Sequence, residues 1–118
     1  MYYHKVYVCS PYKGDTENNV ERAREYCRQV IAKGYIPIAP HIYFTQFMND
    51  NNYAERLKAL DMNTELLKEC SELWVFSDTV SDGMKAEIKQ AHIYNIPIFF
   101  VNKGTYYKTP EKGRLYYV

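Results

Sequence analysis

The stretch "ELWVFSDTVSDGMKAEIKQAHIYNIPIFFV", residues 72–101, decides the fold. It opens on a near-continuous apolar run, residues 72–77, as expected for a strand covered on both faces. After the polar loop "DTVSDG", Met84, Ile88, Ala91 and Tyr94 recur at helical spacing until Asn95, and a second apolar run follows at residues 96–101. Strand, helix and strand in this order make a βαβ crossover, which is right-handed and joins parallel strands.

The same alternation extends toward the N-terminus. "KVYVC", residues 5–9, is a β-branched and aromatic run stopped by "SPYKGD". From Asp15 or Thr16 as N-cap, Val20, Ala23, Cys27, Val30 and Ile31 keep helical spacing up to Gly34. "YIPIAP" is a short strand in which Pro37 lacks a ladder donor, so an edge position is expected. "HIYFTQFMNDNN" reads as a loop with one helical turn. Tyr53, Leu57, Leu60, Thr64 and Leu67 mark the expected inward stripe of a helix over about residues 53–70. The expectation is a three-layer α/β/α sandwich with a mainly parallel, flavodoxin- or Rossmann-like sheet of four to five strands. A single domain spans residues 1–118, with its core in 5–101 and a tail in 102–118. In such a sheet, ligands collect at the carboxyl ends of the strands, here "CSPYKGD", "APH", "SDTVSDG" and "VNKG".

Composition narrows the function. The 118 residues carry 15 basic and 14 acidic side chains, a net charge of +1, with no basic stripe suited to a phosphate backbone, which disfavours a nucleic-acid polymer as partner. Cys9, Cys27 and Cys70 are odd in number, lie in apolar segments and lack ligand spacing, so they read as reduced thiols of a cytoplasmic protein. No metal or organic cofactor is expected. No apolar segment approaches the length of a membrane span. Tyrosine occurs 13 times, several of them in "GTYYKTPEKGRLYYV", which suits an oligomer interface or a pocket for a planar ring, although an aromatic-rich surface is the plainer reading.

Glu87 breaks the helical pattern. At 100° per residue it projects between Met84 and Ile88, inside the apolar stripe, and Asp61 falls by the same arithmetic at the edge of the expected inward face of the preceding helix. An inward carboxylate costs free energy unless it is paired or hydrogen-bonded. Each acid has a plain alternative, a tether satisfied by a nearby Tyr, Lys or N–H, and for Asp61 alone that alternative is the better one. Glu87 follows a Gly-containing loop at a ligand-binding edge, which favours a functional role.

"VYVCSPYKGD", "ALDMNTELLKECSELWVFSD" and "SDGMKAEIKQAHIYNIPIFFV" together resemble the three motif blocks of the nucleoside 2-deoxyribosyltransferase superfamily, which includes the 2'-deoxynucleoside 5'-monophosphate N-glycosidases. The similarity is greatest to small bacterial and phage members whose activity is not established. The resemblance implies that Glu87, in the Gly-x-x-x-Glu turn begun by Gly83, is a nucleophile toward the anomeric carbon. It further implies that Asp61 assists the base or a sugar hydroxyl and that Tyr7 hydrogen-bonds near the nucleophile. Ser10 and Ser81 match serines that cradle a 5'-phosphate, with Lys13 adding positive charge, and Asp82 lies near another acid of the transferases. His41, after Pro40 at a strand's carboxyl end, is a candidate contact for the base. Lys85 departs from the small or apolar residue of relatives, and the tail matches no motif.

The leading expectation is an enzyme that cleaves the N-glycosidic bond of a nucleoside or its 5'-monophosphate and passes the sugar to water or another base. A module that binds nucleotides without turnover and a nicotinamide-nucleotide glycohydrolase are the alternatives. A homodimer or higher oligomer is expected from the Tyr-rich tail and from the shared pockets of the family.

Overall fold

The structure, a computed structural model, describes residues 2–102 and 105–108. Its strands are β1 (Lys5–Cys9), β2 (Ile36–Ile38), β3 (Glu72–Val75), β4 (Ile98–Asn102) and β5 (Thr105–Lys108); its helices are α1 (Thr16–Ala32), α2 (Pro40–Tyr43), α3 (Tyr53–Lys68) and α4 (Asp82–Ile93). They form one five-stranded sheet in the order β2-β1-β3-β4-β5. The first four strands are parallel and β5 is antiparallel to β4, so the sheet is mainly parallel as expected. From β1 the chain crosses to β2 on one side and later reaches β3 on the other. That reversal makes the carboxyl end of β1 a topological switch point, the place where sheets of this kind bind ligands.

Alternation along the strands divides the core into two layers. Val6, Val8, Trp74 and Phe76 pack with Val30 of α1 on one face. Tyr7, Cys9, Leu73 and Val75 pack on the other with Leu67 of α3 and with Met84, Ile88 and Ala91 of α4. β2 lies at the sheet edge, where Pro37 withholds no bond from a central ladder. Gly34 (φ +91) and Asn95 (φ 57) supply the left-handed residues that follow α1 and α4.

Several expectations are corrected. The segment after Pro40 contains α2 and a 3-10 turn, Phe44–Gln46, rather than a loop with one turn. Residues 102–118 are not simply a tail, because Thr105–Lys108 pairs with β4. The expectation of an oligomer contact through the Tyr-rich tail concerns side chains outside the described residues. Ile31 and Tyr94 are 60% and 41% exposed, so each predicted stripe loses its last member to the surface. On α3 the difference is larger: Tyr53, Leu57 and Leu60 are exposed, whereas Ala59, Met62, Asn63 and Leu66 are half-buried and Leu67 is buried. The inward face is thus turned by about 120° from the expected stripe. The cause is that α3 carries apolar residues on two faces, so periodicity alone does not choose between them.

The two-layer core predicts unequal costs for similar truncations. Ile88→Ala is expected to lower stability by about 2–4 kcal/mol and Ile31→Ala by less than ~1 kcal/mol in urea titrations, because only the first leaves a cavity.

Candidate active site

The most informative contact joins β1 to α4. The Tyr7 hydroxyl donates to Oε2 of Glu87 at 2.5 Å across 80 residues of sequence. Both side chains are placed by local rules. Strand alternation sends Tyr7 to the α4 side of the sheet, along with Cys9. Ser81 caps α4 by accepting from the Met84 N–H at 3.3 Å, so the helix begins at Asp82 and Glu87 is its sixth residue, on the flank next to buried Met84, Ile88 and Ala91.

Glu87 is half-buried, so part of it is open to solvent, while its carboxyl is held among Tyr7 and Cys9. Burial pushes the carboxyl from an ordinary value of 4.5 up to about 7; hydrogen bonds from Tyr7 and Cys9 pull in the opposite direction without cancelling the effect. The Tyr7 hydroxyl and the Cys9 thiol are pushed well up in turn, first by burial and then by the Glu87 charge. Tyr7 therefore stays a donor at any ordinary pH. Among the described residues no ion pair reaches Glu87; the two present, Arg24–Glu21 and Lys68–Glu65, lie on exposed helix faces. A carboxylate near neutrality, hydrogen-bonded but not neutralised, retains a nucleophilic oxygen.

A second cluster sits where β1 and β2 end. Ser10 is buried, and its Oγ lies 3.2 Å from Nε2 of His41, at the start of α2. Burial lowers His41 to about 4, so the imidazole is neutral at pH 7. The Tyr12 ring meets it edge-on with centroids 6.1 Å apart. The β1–α1 loop is fixed from within by buried Asn19, whose Nδ2 donates to the carbonyls of Tyr12 and Lys13 at 3.1 Å each. Lys13 and Gly14 are exposed on that loop, and Gly14 has φ +92. Ser81, Asp82 and Gly83 are exposed at the start of α4, and a Cβ built on Gly83 would meet nothing within 4 Å.

The structure thus brings Tyr7 to Glu87 and Ser10 to His41. It does not bring in Asp61, which is exposed on α3; the expectation of a second inward carboxylate is corrected by the turned α3 face. Lys85 is exposed and lies about 200° around α4 from Glu87, so it does not pair with it. Sequence reasoning missed Asn19, although its place four residues before Ala23 on the inward stripe was a usable signal. It also gave Cys9 no role beyond packing and did not single out Asn63, whose buried Oδ1 has no hydrogen-bond partner. A groove lies away from these residues. It measures about 500 Å³ and is apolar, between Pro37–Pro40, Tyr43 and Phe44 on one side and Met62, Glu65 and Leu66 on the other.

Glu87 and His41 act on stability with opposite sign. A carboxyl whose folded value is raised from 4.5 to about 7 favours the folded state most at low pH and loses that contribution as pH rises through 7. An imidazole lowered from 6.5 to about 4 favours the folded state at neutral pH and loses its contribution as pH falls through 4. Glu87→Gln, which keeps an acceptor for Tyr7 and removes the ionisation, is expected to gain stability over the wild type by about 1–3 kcal/mol between pH 5 and pH 8. Denaturant melts at both values check this.

Comparison with known proteins matches this architecture. No curated protein matches the chain in sequence. Among solved structures, a 2-deoxyribosyltransferase from Bacillus psychrosaccharolyticus aligns with a TM-score of 0.62 at 18% identity, over 81% of this chain and 70% of that one. A conserved protein from Enterococcus faecalis V583 aligns with a TM-score of 0.60 at 17% identity, over 84% of this chain and 63% of that one. At such identities the likeness shows a shared fold. A family model described as a domain of unknown function, DUF7768, matches residues 4–101 and so covers every helix and all four parallel strands except the last residue of β4; the chain belongs to the DUF7768 family.

Proposed function

We propose that the protein cleaves the N-glycosidic bond of a nucleoside or its 5'-monophosphate with Glu87 as nucleophile. The observation that carries this reading is the Tyr7–Glu87 hydrogen bond, in a fold shared with a 2-deoxyribosyltransferase. In the first step a carboxylate oxygen of Glu87 bonds to the anomeric carbon, and the bond from that carbon to the base nitrogen breaks. The base leaves with the electron pair and takes up a proton. In the second step water or another base bonds to the same carbon and gives up a proton to solvent, while the bond from that carbon to Glu87 breaks and its electron pair returns to the carboxylate. Tyr7 holds Oε2 so that the other oxygen faces the sugar, and it favours the charged form that attacks. The exposed Ser81 and Lys13 and the open space over Gly83 suit the 5' end of a nucleotide, while neutral His41 with Ser10 offers uncharged hydrogen-bonding to the substrate. Asp61 has no place in this scheme, because the side chain is at the surface.

The test is chromatographic. The purified protein is incubated with deoxynucleosides and with their 5'-monophosphates, and free base is measured with and without an acceptor base. Release is expected to fall at least ~100-fold in Glu87→Gln. Binding of nucleotides without base release by the wild type would instead support a module that senses or sequesters them.

The pH profile makes a sharper demand. Since the attacking form is ionised, kcat/KM should rise to a plateau with a midpoint near 7. Tyr7→Phe removes a bond that lowers the Glu87 value, so the midpoint should move up by about one unit and activity at pH 7 should fall. An unchanged midpoint would remove Tyr7 from the mechanism.

A further inference from the structure

Glu87 has a second partner that the reaction scheme leaves idle. Strand alternation puts Cys9 on the same face of β1 as Tyr7, and its side chain is wholly buried. The thiol donates to the main-chain carbonyl of Met84, with Sγ 3.8 Å from the oxygen, and it also hydrogen-bonds the Glu87 carboxyl. A thiol has one hydrogen, so these two acceptors compete for it. Helix geometry explains why they meet: the Met84 carbonyl points along α4 toward its C-terminus, whereas the Glu87 side chain, three residues on, leans back toward the N-terminus. Burial and the Glu87 charge keep the thiol protonated, so it remains a donor wherever the carboxyl titrates. The surroundings add no charge of their own. Leu67, Leu73, Val75, Met84 and Ile88 fill the rest of the layer, Cys70 after α3 is a thiol pushed up to about 12, and Asp82 and Lys85 of α4 are exposed.

We propose that Cys9 is a positioning residue for Glu87, on the reading that Glu87 is the nucleophile: its one S–H passes between the Glu87 carboxylate and the Met84 carbonyl as the carboxyl gains and loses charge. A hydrogen bond to an ionised group is roughly twice as strong as one between neutral groups, so the charged carboxylate holds the thiol hydrogen. Once Glu87 is protonated, or esterified to the sugar, the carbonyl is the better acceptor and takes it. The thiol is then never left without an acceptor in a dry layer, where an orphaned donor costs free energy. Tyr7 and Cys9 divide the work between them. Tyr7 fixes Oε2 with a strong donor, while the weaker thiol steadies the carboxylate and lets go of it as the bond to the sugar forms. Cys9→Ser would hold the charged form more tightly than the thiol does, and Cys9→Ala would leave it to Tyr7 alone.

The S–H stretching band of the full chain, read by infrared difference spectroscopy, tests this without turnover. Subtracting the spectrum of Cys9→Ala separates Cys9 from Cys27 and Cys70. The Cys9 band is expected to move to lower frequency as pH rises, with a midpoint near 7, and to stay fixed in Glu87→Gln. In carbon-13 titrations the Glu87 midpoint should rise by about half a unit in Cys9→Ala and fall below the wild-type value in Cys9→Ser. The midpoint of kcat/KM for base release should follow the same order. A band that ignores pH, or that moves as much in Glu87→Gln as in the wild type, overturns the proposal, as do carboxyl midpoints unchanged in both Cys9 variants. A wild type that shows the band shift but releases no base keeps the shared thiol and overturns the glycosidase reading, so the two failures are distinct.

Discussion

A hydroxyl donated from the middle of one strand to a carboxylate on the last helix is the constraint on which this molecule turns. It joins β1 to α4, on the helix flank beside buried Met84, Ile88 and Ala91. It also keeps a charge-bearing group within a layer otherwise built from Leu67, Leu73, Val75, Met84 and Ile88. Burial alone would leave Glu87 protonated well above the usual carboxylate range; the Tyr7 and Cys9 hydrogen bonds hold its midpoint near 7. The cost of keeping a titratable acid there is a loss of stability as pH rises, and His41 contributes in the opposite direction.

The rest of the fold can be understood as support for that pair. The strand order reverses at β1, the Ser81 cap sets where α4 begins, and Asn19 clamps the β1–α1 loop through two carbonyls. Ser10 and His41 place neutral polar atoms where β1 and β2 end. On the proposed reading Glu87 is the nucleophile and Tyr7 its orienting donor, with uncharged polar partners nearby and, among the described residues, no ion pair to the carboxylate. That combination suits attack on an electron-poor sugar carbon more than simple anion binding.

Much of this was legible in the residues before any coordinates. The two-sided apolar runs of β3 and β4 and the alternation in "KVYVC" define buried parallel strands, and Pro37 marks β2 as the edge. Glu87 stood out because Met84, Ile88 and Ala91 leave no doubt about the inner face of α4. The helix α3 was read correctly over about residues 53–70, but its inward face was illegible for the converse reason: its apolar residues occupy two faces, and only packing against the sheet shows that Leu67 turns inward while Leu57 and Leu60 do not. Asp61 was misplaced along with that face. The β5 strand was hidden because four residues of "TYYK" carry no periodic signal, and long-range pairs such as Ser10–His41 have no local signature.

The most direct measurement of the central claim is the titration of the Glu87 side-chain carboxyl by carbon-13 NMR in protein labelled at glutamate, assigned by difference with Glu87→Gln. The account predicts a single midpoint near 7, displaced upward in Tyr7→Phe. A midpoint near 4.5 in both proteins would mean that the carboxylate is fully solvated and unheld, and would contradict it.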